Sequence, residues 1–187
     1  RLGFISECSA EYFIEHLTEL LSMPVSIEKR MLLTVQIDEQ YYTAVNEIVI
    51  SQNSLARLIA LEININNTFF SVIKADGLIV ATPTGSTGHS LSAGGPIVQP
   101  IIETIILTAI CANSLAVRPM LLPASEKITI RLLTDSKIII TIDGQKQISY
   151  LKEKKISVEK SNYFFNIRKF GITSFYDTLK TKLNWNK

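Results

Sequence analysis

The chain opens in helical grammar and then changes to strand grammar. Ser9 is placed to cap a helix, Glu11 falls in the first turn where a negative charge suits the dipole, and Phe13, Leu17, Leu20 and Leu21 recur at helical spacing before Pro24. Ahead of it, Leu2-Gly-Phe-Ile-Ser-Glu7 reads as a strand already in progress. From Val25 short apolar stretches follow one another at 30–37, 42–50, 58–65, 69–74 and 78–81, several alternating apolar with polar residues and punctuated by Asn, Asp, Gly or Ser. Pro100 suits a first helical turn, and Ile101, Ile105 and Thr108 along one side predict a second helix in a region ended by Pro119 and Pro123. Strand signals resume at 128–133, 137–142, 147–151 and 155–160, and Asp143-Gly144 between two of them is a hairpin signal. The tail, 174–183, predicts a helix with Phe175, Leu179 and Leu183 on one face. The expected class is α+β, mainly β, with helices flanking a β-rich body.

Composition narrows the partners. The 187 residues are 47% hydrophobic, enough for one substantial core, or for one domain and part of another. No uninterrupted apolar run approaches the roughly 18 residues of a membrane helix. No basic segment leading into an apolar stretch and a small-residue cleavage site opens the chain, so neither a membrane nor a secretory setting is expected. Net charge is +2, from 19 basic and 17 acidic residues spread along the chain. The densest basic stretch, Lys152-Glu-Lys-Lys155, is broken by an acid, so nucleic acid is not an expected partner. Cys8 and Cys111 make neither a disulfide framework nor a zinc site, and a reducing cytoplasm fits them. With His16 and His89 the only histidines, no metal-ligand cluster is expected, and His16 reads as a partly exposed helix residue.

The chemistry concentrates in the run 76–96, Asp-Gly-Leu-Ile-Val-Ala-Thr-Pro-Thr-Gly-Ser-Thr-Gly-His-Ser-Leu-Ser-Ala-Gly-Gly-Pro. A hydrophobic strand runs into a loop of Thr, Ser, Gly and Pro, which places backbone N–H groups and hydroxyls at the mouth of a sheet, where polar ligands and nucleotides bind. It is neither a P-loop nor Gly-x-Gly-x-x-Gly. Asn46-Glu47 interrupts an apolar stretch; an amide beside a carboxylate suits a purine edge and ribose hydroxyls, while the plainer reading is a solvent-facing pair. Asp76 and Asp143 both precede Gly and suit turns, and Arg57 and Lys74 read by themselves as surface cations.

As a whole string, 76–96 resembles the signature of the NAD kinase family, with Gly88 and His89 standing where that family usually has Ala and Tyr. The resemblance extends from Leu2-Gly-Phe-Ile to Phe175-Tyr-Asp177. It implies a two-domain kinase, an α/β domain followed by a β-sandwich-like domain. This chain would then comprise the end of the first domain (1–23), a dinucleotide-binding domain (24–170) and a helical tail (171–187), with the rest of the α/β domain missing. It further implies transfer of the γ-phosphoryl group of ATP, with a divalent metal such as magnesium, to the adenosine ribose 2′-hydroxyl of NAD, in a homodimer or homotetramer. Non-catalytic nucleotide-binding relatives, lipid kinases of the same plan and a plain β-sandwich interaction domain stay open as alternatives.

Residue by residue, the resemblance assigns dinucleotide contacts to Asn46, Glu47 and Asp76, and to Thr87, Gly88, His89, Ser90, Leu91 and Ser92 of the loop. It adds Arg57 and Lys74, and Asp143 with Gln145 as pocket residues. His89 offers adenine a smaller aromatic face than Tyr. Cys111 is expected to be a small buried residue near the pocket, since no base is placed to activate it. The family's base is an Asp in a Gly-Gly-Asp-Gly motif, which the 187 residues do not contain; the sole Gly-Gly, Gly94-Gly95, is followed by Pro96.

Overall fold

The computed structural model describes residues 4–53, 58–135, 137–150 and 155–185. Arg57 and most of the basic stretch at 152–155 lie outside them. The chain divides into two compact units, Arg30–Phe165 and the pair Arg1–Lys29 with Asn166–Lys187.

Twelve strands are described: β1 (Ser26–Ile37), β2 (Gln40–Ala44), β3 (Glu47–Gln52), β4 (Ile59–Ile65), β5 (Thr68–Ala75), β6 (Gly77–Ala81), β7 (Thr104–Ile110), β8 (Met120–Pro123), β9 (Ile128–Leu132), β10 (Ile138–Ile142), β11 (Lys146–Tyr150) and β12 (Lys155–Lys169). They form two six-stranded sheets, ordered β2-β1-β12-β9-β4-β5 and β11-β10-β3-β6-β7-β8. The second sheet pairs antiparallel throughout.

Period-two alternation sends Ile48 and Ile50 of β3, Leu78 and Val80 of β6, and Ile105 and Leu107 of β7 into the core, where they join Leu61 and Ile63 of β4 and Ile128 and Ile130 of β9. The intervening residues of the second sheet are also buried. Val49, Ile79, Ala81 and Ile106 form a smaller cluster with Val98 from the segment after the Thr/Ser/Gly loop. Covering on both faces explains why Gly77-Leu-Ile-Val-Ala81 reads as an unbroken apolar run.

Most expected strands appear, and the Asp143-Gly144 turn joins β10 to β11 with positive φ at both residues (50° and 66°). The helix expected from Pro100 is instead strand β7. Its Thr-Ile-Ile-Leu-Thr run is buried along its whole length between β6 and β8, which suits β-branched residues in a central strand. β8 was hidden because Pro119 and Pro123 read as stops; an edge strand tolerates proline, which has no N–H to donate. The stretch 42–50 is two strands, broken at Val45-Asn46. Residues 4–7 form bends and no strand.

In the other unit, α1 (Ala10–Glu15) is capped by Ser9, whose Oγ accepts from the Tyr12 N–H at 3.2 Å. The expected single helix breaks at His16, half-exposed and stacked on Tyr12, before α2 (Leu17–Ser22). Of the expected apolar face, Leu20 is buried while Leu17 and Leu21 are exposed. Arg168 Nη2 donates to the carbonyls of Leu20, Leu21 and Met23 at 3.1–3.4 Å, closing the end of α2. The tail helix Phe175–Leu183 is capped by Ser174 and buries Leu179. No helix among the described residues is long and apolar enough to cross a membrane.

Candidate functional site

The site is built at one end of β6, where the break between β2 and β3 meets the Thr/Ser/Gly loop. Asp143, in the β10–β11 turn, fixes that break. Its Oδ2 accepts from the Val45 N–H at 2.8 Å, and its Oδ1 from the N–H groups of Asn46 at 2.7 Å and Glu47 at 3.1 Å. Its own N–H donates to the Glu47 carbonyl at 3.0 Å. One carboxylate thus satisfies three backbone donors and holds Asn46-Glu47 in place.

The loop closes over this segment. Thr82 donates its N–H to the Asn46 carbonyl at 2.8 Å and its hydroxyl to the Val45 carbonyl at 2.6 Å, and its Oγ1 accepts from the Gly85 N–H at 3.1 Å. A Cβ on Gly85 would lie 2.1 Å from the Asn46 carbonyl oxygen, so only glycine lets the two backbones come this close. Ser86 donates to the Val98 carbonyl and accepts from its N–H, and Ser90 shares a 3.0 Å hydrogen bond with Thr108. Gly95 packs so tightly here that a Cβ would meet Ser90 Oγ at 2.3 Å. The hydroxyls of Thr82, Ser86 and Ser90 are fully buried and spent on the fold. What the loop presents outward is Gly88, His89 and Ser92, with Thr87 and Leu91 half-buried.

Beneath Gly88 lies Glu47, only 8% exposed, whose Oε2 has no hydrogen-bond partner. A Cβ on Gly88 would stand 3.2 Å from that oxygen. Burial, and then the negative charge of Asp143, push the Glu47 carboxyl up to about 7 from an ordinary 4.5. Near neutral pH this group is divided between its two protonation states. It is no solvent-facing strand residue; it is a buried carboxyl with one oxygen, Oε2, lacking a hydrogen-bond partner.

The structure gathers Asn46, Glu47, Asp143 and 87–92 at this end, with Gln145 exposed in the turn two residues past Asp143. Lys74, Asp76 and Cys111 stand at the other end of β6. Thr82 is six residues beyond Asp76, about 20 Å of extended strand. There Asp76 Oδ1 accepts from Gln52 Nε2 at 3.2 Å, its N–H donates to the Ile110 carbonyl, and the Lys74 carbonyl accepts from the Asn113 N–H. Cys111 is exposed, contrary to the expectation of burial; it follows the last paired residue of β7 and turns at a φ of 48°.

The motif reading missed the site's support. Arg30 of β1 is 5% exposed and donates through Nη1 to Thr84 Oγ1 at 3.4 Å, 54 residues away. Its one signal was an arginine at the head of an apolar run. Among the described residues no group of three or more His, Cys, Asp or Glu side chains is placed to hold a metal ion.

Three comparisons bear on this geometry. Residues 45–170 match the family model described as the ATP-NAD kinase C-terminal domain. An NAD kinase of Magnetococcus marinus is 37% identical over 99% of this chain and 63% of its own length. One of Treponema denticola is 36% identical over the whole chain and 68% of its own length. The yeast NADH kinase, solved in complex with NADH, superposes with a TM-score of 0.89 at 29% identity over the whole chain and 57% of its own. The NAD kinase of Archaeoglobus fulgidus, solved with ATP, gives 0.84 at 27% identity over 98% of this chain and 70% of its own. The chain therefore spans roughly two thirds of the length of the curated relatives it matches. With a family model covering most of its residues and the loop, the Asn-Glu pair and the hairpin Asp all inside the matched segment, the chain belongs to the NAD kinase family as its C-terminal domain.

Proposed function

We propose that this chain is the dinucleotide-binding part of an NAD kinase. In that reaction the ribose 2′-oxygen forms a bond to the γ-phosphorus of ATP, the bond from that phosphorus to the β–γ bridging oxygen breaks, ADP leaves and the hydroxyl proton passes to a base. The observation that carries the reading is Glu47 Oε2, buried and unpartnered beneath Gly88 on a backbone that Asp143 clamps. A ribose hydroxyl donating to that oxygen would supply its missing partner, and the Asn46 amide beside it suits an adenine edge. His89 offers a ring face on the exposed side of the loop.

No Gly-Gly-Asp-Gly motif occurs in the sequence, so the proposal is binding without turnover by these residues alone. Magnesium enters with ATP as part of the substrate; the described residues offer no cluster to hold it. Lys74, Asp76 and Cys111, remote from the loop along β6, fit a dinucleotide site shared between copies in a homodimer or homotetramer. Two free cysteines and these substrates fit a reducing cytoplasm.

The test is the melting temperature of the chain with and without NAD, repeated with Glu47→Ala and Asp76→Ala. A ligand at about a hundred times its dissociation constant stabilises a native site by roughly 2.7 kcal/mol. The expected shift disappears in Glu47→Ala, and in Asp76→Ala it disappears only where the chain self-associates. A folded chain that NAD leaves unshifted at millimolar concentration would overturn the proposal.

A further inference from the structure

Away from the loop and its carboxyls, the sandwich carries a cavity of about 550 Å³, within the range of small-molecule pockets. It lies on the side where β5 and β8 are the outermost strands of their sheets. Its floor is core: Ile73, Leu78 and Leu107 are each less than a tenth exposed, so the folded sandwich itself shapes it. Phe70 and Val72 of the edge strand β5, exposed at 47% and 41%, also line it. Interiors are normally packed to near-crystal density, and open apolar concavities of this kind mark binding sites. None of Asn46, Glu47, Asp143 or the loop residues lines it.

The polar groups at the rim are few. Arg118 is exposed, and its Nη1 donates to the adjacent Val117 carbonyl at 3.2 Å. Among the described residues no carboxylate pairs with it; Ser71 and Ser114 also line the cavity, the Ser114 Oγ accepting from the Ala116 N–H at 3.3 Å. An apolar floor beside one guanidinium that no carboxylate compensates is complementary to a molecule with an apolar body and a single planar anionic head.

We propose that this cavity binds a small amphipathic carboxylate, a medium-chain aliphatic or single-ring acid, whose body lies on Leu78, Leu107 and Met120 and whose carboxylate pairs with Arg118. The cavity shares no lining residue with the proposed dinucleotide site, although its Ile73, Leu78, Ala109 and Ser114 flank Lys74, Asp76 and Cys111.

Octanoate and octanol, titrated into the chain and followed through its methyl resonances, test this. Octanoate should give saturable shifts centred on Met120, Leu78 and Leu107. Arg118→Gln should weaken octanoate about tenfold, one charge-assisted hydrogen bond's worth, and leave octanol unchanged. Ala116→Trp, at an exposed position on the rim, should abolish both while leaving the melting temperature unchanged. Absent or chain-wide shifts overturn the site, and equal loss of both probes in Arg118→Gln overturns the role of the charge. Cavity methyls shielded by self-association, with octanoate excluded, would show the face to be an interface between copies and overturn the proposal as well.

Discussion

Exchanging Asp143 for Asn replaces one acceptor oxygen with a donor while leaving the turn its preferred chemistry. Asn-Gly suits a hairpin with positive φ at both positions at least as well as Asp-Gly, so the exchange isolates the clamp from the turn. The native carboxylate accepts from Val45, Asn46 and Glu47 at 2.8, 2.7 and 3.1 Å. An Asn amide keeps one oxygen, and its NH₂ must then face a backbone N–H. A charge-assisted bond lost is worth about 1.5–3 kcal/mol, with about 1–3 kcal/mol more for the orphaned donor, partly offset here by water at half-buried sites; we expect about 3 kcal/mol. For a chain of this size that corresponds to a melting temperature lower by about 6–12 °C. Thermal and urea unfolding near pH 5.5 is the assay, because Glu47 is then protonated in the native state and carboxylate repulsion does not enter. A loss below about 1 kcal/mol would refute the clamp.

Glu47 gives a pH dependence. Its native carboxyl is raised from 4.5 to about 7, so between those values the native state holds a proton that the unfolded chain has released. Its contribution to stability therefore falls as pH rises through that window and stays low above it. Glu47→Gln should melt higher than the parent at pH 8 and no higher below 4.5; the same offset at both would count against burial as the cause. Gly85→Ala should lose about 3 kcal/mol or more by chemical denaturation, because its Cβ would collide with the Asn46 carbonyl. Gly88→Ala, at a φ of −96° and with its nearest contact at 3.2 Å, should lose less than about 1 kcal/mol by chemical denaturation. Equal effects of the two would sink the close-approach argument. His89→Tyr, on the exposed side of the loop, should leave stability unchanged and tighten NAD several-fold by calorimetry, as a larger stacking face does. Unaltered affinity would remove His89 from the ligand surface.

The sequence by itself determined the mainly β class, most strand positions, the Asp143-Gly144 hairpin and the Ser9 cap, and it singled out the loop at 82–95. These follow from local rules: alternation, turn residues with positive φ, and capping hydroxyls. Only the tertiary structure decided the rest. Whether Thr104–Ile110 is helix or strand depended on neighbours on both sides and burial on both faces, which no local pattern records. The loop's Thr and Ser looked alike in sequence, yet Thr82, Ser86 and Ser90 turned inward to partners as far away as Val45 and Thr108. Asp143 read as a turn residue, and its service to a strand break almost a hundred positions earlier appeared only when β10 paired with β3. Asp76 sits beside the loop in sequence and at the opposite end of its strand in space, because five extended residues separate the two. A residue's type and its neighbours set what it can do locally; whether its polar atoms are buried, and what they face, is set by contacts between segments far apart in the chain.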